Sequence, residues 1–195
     1  MRDEGDGPVV LCLHGMIGTS FLYRKMLAEL AARGLRGVAF DLPGFGLAQR
    51  PADYDYSWTG LGQFCVAAVG ELGLDRFHLV VHDIGGPVGF ELALAAPERV
   101  ASLTLLNTTI DVTDFRSPRT MEPFRHAGVG EAWMSTLNGP VFRWGADDPT
   151  MTLAVYGQKA RAAAGLADVT ALPGKHFPQE DQAPAIAAKI AELAR

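Results

Sequence analysis

Cysteine is scarce. Cys12 and Cys65 are the only two, so no network of disulfides can hold this chain together. Cys12 falls in an apolar, strand-like run and Cys65 in a helix-like one. Two buried thiols are therefore expected, and neither a disulfide nor a metal pair. Long apolar runs are also missing: stretches such as Val9 to Leu13 fall far short of the roughly 20 residues that cross a bilayer. Nor is there an excess of positive charge. The formal net charge of −5 gives nucleic acid and anionic membranes no general attraction. The opening Met1-Arg2-Asp3-Glu4-Gly5-Asp6 has no apolar stretch of the secretory kind, so the expected compartment is the cytoplasm. Internal repeats and low-complexity segments are lacking too. What is plentiful is apolar residue, 48% against 20% charged over 195 residues, which suits a single globular domain over 1–195.

Short apolar runs alternate with longer segments of helical period. Pro8 to Leu13 predicts a strand buried on both faces. Thr19 or Ser20 predicts the cap of a helix with Leu22, Met26 and Leu30 on its inner stripe, ended by Gly34. Further strands are expected at Gly37–Phe40, Phe77–Val81, Val100–Leu106, Pro140–Trp144 and Asp168–Leu172. Helices are expected at Thr59–Leu72, Gly85–Ala96, Thr150–Ala164 and from about Pro184 onward. Pro87 fits the first turn of its helix, where a missing N–H costs little. This β-α alternation implies a mostly parallel sheet with helices on both faces. Residues 108–139 break the rhythm with Asp, Arg, Pro, Gly and scattered aromatics. They read as a small lid-like insertion over the strand ends.

Ligands of such sheets bind beyond the carboxyl ends of the strands, and three of those ends carry groups that can act together. Val81-His82-Asp83-Ile84-Gly85-Gly86 joins a strand to a helix through a sharp turn with Asp83 at its apex. The small residues let helix and strand approach, and a helix N-terminus suits a carboxylate. Trp144-Gly145-Ala146-Asp147-Asp148-Pro149 follows the 140–144 strand, and a carboxylate there can orient a histidine. Leu172-Pro173-Gly174-Lys175-His176 follows the last strand with a histidine in a loop. The order is nucleophile, acid, histidine.

With these residues in view, the chain resembles the α/β-hydrolase superfamily, in its epoxide hydrolase and haloalkane dehalogenase branch. Leu13-His14-Gly15 is similar to that branch's oxyanion loop and Asp41-Leu42-Pro43-Gly44-Phe45-Gly46 to the loop after its next strand. His82-Asp83-Ile84-Gly85-Gly86 is similar to its elbow with aspartate as nucleophile, Gly145-Ala146-Asp147-Asp148 to its acid loop, and Lys175-His176-Phe177-Pro178-Gln179-Glu180 to its histidine loop. The resemblance implies an α/β-hydrolase fold with a shortened N-terminus and a small lid, since almost nothing precedes Pro8 where the family has two further strands. It implies Asp83, Asp148 and His176 as the catalytic triad, with the backbone N–H groups of Met16 and Ile84 as the oxyanion hole. His14 and His82 are expected to shape loops, and Asp41 to brace its own turn.

A carboxylate at the elbow suits displacement at a saturated carbon. It forms an alkyl ester that water can open, whereas a serine would form an inert ether. The first expectation is therefore an epoxide opened to a diol. Ile84 stands where dehalogenases of the branch usually place a halide-holding tryptophan, and residues 108–139 contain no tyrosine to protonate an epoxide oxygen. His126, Trp133 and Tyr156 are the remaining candidates for contact with the leaving group. The alternatives are a haloalkane dehalogenase, an esterase- or lactonase-like hydrolase, and a degenerate, non-catalytic binding protein. No metal or organic cofactor is expected, because no His-Cys-carboxylate cluster has ligand spacing. The expected partner is a small hydrophobic substrate. An uncovered sheet edge would favour a homodimer.

Overall fold

The computed structural model describes residues 1–109, 158–163, 171–173 and 176–195. Among these residues, five strands form one sheet in the order β1-β3-β2-β4-β5. They are β1 (Arg2–Glu4), β2 (Val9–Leu13), β3 (Arg36–Ala39), β4 (Phe77–His82) and β5 (Val100–Leu106). Strand β2 runs parallel to β3 and to β4, and β4 runs parallel to β5. The helices are α1 (Arg24–Ala31), α2 (Trp58–Glu71), α3 (Gly85–Ala95), α4 (Gln158–Ala163), α5 (Pro178–Asp181) and α6 (Ala183–Leu193). Short 3₁₀ turns precede α1 and β5.

Alternation along β2 divides the core in two. Val10 and Cys12 face α1 and α6, where they meet Met26, Leu30, Ile186 and Ile190. Leu11 and Leu13 face α2 and α3, where they meet Leu61, Cys65, Val88 and Leu92. Successive side chains on a strand point to opposite faces, so an unbroken apolar run marks a strand covered on both sides. Both cysteines are buried free thiols, and burial pushes the Cys65 thiol up to about 12.

Two expectations need correction. The helix predicted from Thr19 or Ser20 opens with a 3₁₀ turn over Ser20–Tyr23, capped by Thr19, before α1 begins. A 3₁₀ turn uses three residues where an α-turn uses 3.6, and the phase advances by one. Tyr23, Met26, Leu27 and Leu30 are buried, while Leu22 is only partly so. The second correction is β1. Arg2, Asp3 and Glu4 are all charged and carry no apolar signal, yet they pair antiparallel with Ala39, Val38 and Gly37. Backbone pairing and a fork from the Arg36 guanidinium to Asp3, at 2.9 and 2.6 Å, form this strand.

The strand order sets the place for chemistry. From β2 the chain crosses to β3 on one side and then to β4 on the other. The carboxyl ends of β2 and β4 therefore flank a topological switch point, where α/β sheets place their ligands. The predicted strand at 140–144, residues 168–170 of the strand predicted at Asp168–Leu172, and the insertion beyond Thr109 lie outside the described residues, while Ala171 and Leu172, which are described, are not in a strand.

Candidate active site

Asp83 stands between β4 and α3 with φ +53°. A non-glycine residue there costs of order 1–3 kcal/mol and persists only where its surroundings enforce it. They do so here. The Asp83 carbonyl accepts from the Gly86 N–H at 3.0 Å and from the Thr108 hydroxyl at 2.6 Å. The Asp83 N–H donates to the Asn107 carbonyl at 3.3 Å. Glycine is required on both flanks of the turn. A Cβ on Gly15 would overlap the Asp83 side chain, and one on Gly86 would overlap Thr108. The turn thus pushes the carboxylate out at the N-terminal end of α3.

The Met16 N–H donates to Asp83 Oδ1 at 2.7 Å. Oδ2 faces His176, whose Nε2 is 3.7 Å away, a separation for an ion pair and too long for a hydrogen bond. Burial pushes the Asp83 carboxyl up, but His176, the charge of His82 and the N–H groups of Ile84 and Met16 outweigh it and hold the carboxyl below its ordinary value. Asp83 is therefore a carboxylate at neutral pH. The resting carboxylate keeps Oδ1 on the Met16 N–H, one of the two groups expected to form the oxyanion hole.

His176 is buried and reaches the site through contacts distant in sequence. The His82 Nε2–H donates to the His176 carbonyl at 2.7 Å, and the two imidazoles meet edge to face at 4.9 Å. Phe177 packs against both rings, at 5.3 and 5.0 Å. Beyond it, Glu180 on α5 is gripped by Arg24 of α1, and Lys25 approaches its carboxylate at 3.0 Å. Arg24 also lies over the Phe21 ring at 4.3 Å.

The neighbouring polar residues hold loops. The Leu42 N–H donates to His14 Nε2 at 3.0 Å, which leaves Nδ1 to donate to the Gly15 carbonyl at 2.8 Å. Burial lowers the His14 pKa and keeps this ring neutral. Asp41 accepts from Leu47 N–H at 2.9 Å, bracing its turn, and also from Ser20 N–H at 2.7 Å.

A cavity of ≈ 390 Å³ opens beside Ile84, the residue after Asp83. Met16 and Ile84 line it together with Phe45, Tyr56, Trp58 and Leu61, and Gly44 and Arg50 complete the wall. Sequence reading did not single out Tyr56, Trp58 or Arg50. The available signal was their position after β3: Arg50 and Tyr56 lie on the loop that leads to α2, and Trp58 opens that helix. Asp148, His126, Trp133 and Tyr156 lie outside the described residues. Among those described, no cluster of His, Cys, Asp and Glu could hold a metal ion, and no helix is long and apolar enough to cross a membrane.

The sequence model of the family described as alpha/beta hydrolase fold matches residues 8–162. This chain belongs to the α/β-hydrolase family. Its similarity to known proteins follows the branch expected from the elbow. It is 40% identical over 106 residues to haloalkane dehalogenase 2 of Mycobacterium tuberculosis, covering 54% of this chain and 37% of that protein. It is 37% identical over 115 residues to the haloalkane dehalogenase of Psychrobacter cryohalolentis, covering 57% and 38%. The chain thus spans less than half the length of these relatives. The crystal structure of haloalkane dehalogenase DbeA from Bradyrhizobium elkani superposes with a TM-score of 0.78 at 23% identity, over 99% of this chain and 92% of that one. That likeness speaks for the fold.

Proposed function

We propose that this α/β-hydrolase displaces a leaving group from a saturated carbon with Asp83 and hydrolyses the resulting alkyl ester, with a haloalkane as its first substrate class. The observation that carries the reading is the pose of Asp83, with Oδ1 on the Met16 N–H and Oδ2 turned toward His176. In the first half-reaction Oδ2 attacks carbon, a C–O bond forms, and the carbon–halogen bond breaks with its electron pair leaving on the halide. In the second, His176 takes a proton from water and the hydroxide adds to the ester carbonyl carbon. The new oxyanion forms on Oδ1, where the Met16 N–H already sits. Such a donor is typically worth about 3 kcal/mol. The Cγ–Oδ2 bond then breaks, the alcohol leaves with Oδ2 and takes the proton held by His176, and the oxygen from water stays in the restored carboxylate. Asp148, from its place in the acid loop, is assigned to orient His176.

Sequence reading ranks the epoxide ahead of the halide. The relatives, named as haloalkane dehalogenases, favour the halide. Ile84 lends no side-chain donor, so the halide role passes to Trp58, the tryptophan that lines the cavity. The epoxide remains the second reading because Tyr56 lines the same cavity and carries a phenol, which at rest donates to the Pro51 carbonyl at 2.8 Å. The test pairs 1-bromohexane with 1,2-epoxyhexane and measures bromide and diol. Bromide release is expected, and it should fall about tenfold or more in Trp58→Phe, the loss of one hydrogen bond to an anion. Diol without bromide would hand the site to epoxides, and neither product would reject the reading.

A further inference from the structure

Among the described residues, the cavity wall carries one charged residue, Arg50, with apolar and aromatic neighbours. Its guanidinium donates to the Ala48 carbonyl at 3.1 Å and to the Gly46 carbonyl at 2.8 Å. Both partners are neutral. They fix the side chain without cancelling its charge. Some other cations among the described residues are matched to carboxylates, as Arg24 and Lys25 are to Glu180, and Arg36 is to Asp3. Among the described residues no carboxylate pairs with Arg50 in this way. Arg50 is exposed, so an anion that pairs with it keeps part of its water, and the held guanidinium offers its charge at little further cost in side-chain entropy.

Asp83 fixes the orientation of any such anion. Its carboxylate is ionised and repels a second negative charge. An anionic substrate can bring its reacting carbon to Oδ2 only if its own charge lies away from Asp83, on the Arg50 side. We propose that Arg50 recognises a carboxylate at the far end of the substrate, so that ω-haloalkanoates are preferred over neutral haloalkanes of equal length. The apolar body of such a molecule would lie against Phe45, Trp58 and Leu61. The proposal rests on the displacement reading for its chemistry, while the binding of the anion stands apart from it.

Two measurements keep the claims separable. The first compares bromide release from 6-bromohexanoate and 6-bromohexan-1-ol in wild type, Arg50→Gln and Arg50→Lys. Wild type should favour the carboxylate in kcat/KM by about threefold, in line with an exposed ion pair. Arg50→Gln should lower the ratio of the two to about one, and Arg50→Lys should retain part of it. Taking the ratio cancels any general damage to the loop that Arg50 braces. Raising the salt concentration should shrink the wild-type preference. The second measurement titrates unreactive hexanoate and hexanol into wild type and Arg50→Gln by calorimetry. Hexanoate binding should weaken about threefold in the variant. If neither bromide is released but hexanoate binding still depends on Arg50, the reaction is wrong and the anion site stands. Equal binding of hexanoate by wild type and Arg50→Gln, or an unchanged substrate ratio, would overturn the proposal.

Discussion

His82 links the nucleophile turn proposed at Asp83 to the proposed base. It directly precedes Asp83, and its imidazole donates to the backbone of His176, 94 positions away. His176 is therefore held by its own main chain. His82→Leu would remove this hydrogen bond, a cost of about 1 kcal/mol. Because the effect reaches Asp83 chemistry through His176, the two half-reactions should separate. Rapid-mixing kinetics are expected to show a burst of bromide close to that of wild type, followed by steady turnover slowed about tenfold, the magnitude of one lost hydrogen bond. His82→Asn, which keeps a donor, should recover part of the slow phase. Equal slowing of burst and turnover would contradict this role. The sequence marked Asp83 and His176 because each follows a strand in a recognisable loop, and the structure brings them together. It could not mark the His82 link, since a bond between residues so far apart leaves no local pattern. Arg50 and Tyr56 were missed for a related reason: a loop without period offers nothing to align, and Trp58, at the very start of α2, stood at the edge of the helical pattern.

At the scale of elements, the histidine loop is docked by α5 onto α1. Glu180 receives two nitrogens of Arg24, one of them at 3.0 Å, and the Lys25 ammonium donates to its backbone carbonyl at 3.2 Å. Burial pushes the Glu180 carboxyl up, but the bonds from Arg24 and Lys25 prevail and hold it below its ordinary value. A folded value below the unfolded one adds stability above the unfolded pKa, and that stability is lost as pH falls through the folded value. Glu180→Gln should therefore melt below wild type at neutral pH. A pair this accessible is worth about 1 kcal/mol at most, or roughly 2–4 °C in a chain of this size. The two melting curves should converge as the pH drops below the ordinary carboxylate range. A gap that persists in acid would mean the glutamate acts through packing and not through charge. Element identity was largely legible: α2, α3, β4 and β5 fall within a residue of the ranges the apolar period predicts. Phase was less so at α1, where a 3₁₀ start exchanged Leu22 for Tyr23, and β1 was hidden because three charged residues pair through backbone alone.

At the scale of the molecule, one property of the sheet organises the rest. The strand order reverses between β2 and β4, so the oxyanion loop and the nucleophile turn emerge side by side. The histidine loop then arrives from the far end of the chain. The fold class was legible because β-α alternation and the order of the loops are linear in sequence. The leaving-group pocket was not, because it is a property of the assembled surface. The central claim is that Asp83 becomes covalently attached to the substrate carbon and that His176 is needed only to release it. The most direct test is the intact mass of His176→Gln after mixing with 1-bromohexane, followed by peptide mapping. One hexyl group should accumulate on the peptide carrying Asp83, while wild type releases bromide and accumulates no adduct. If wild type turns over and the variant carries no adduct, or carries it on another peptide, then Asp83 is not the nucleophile.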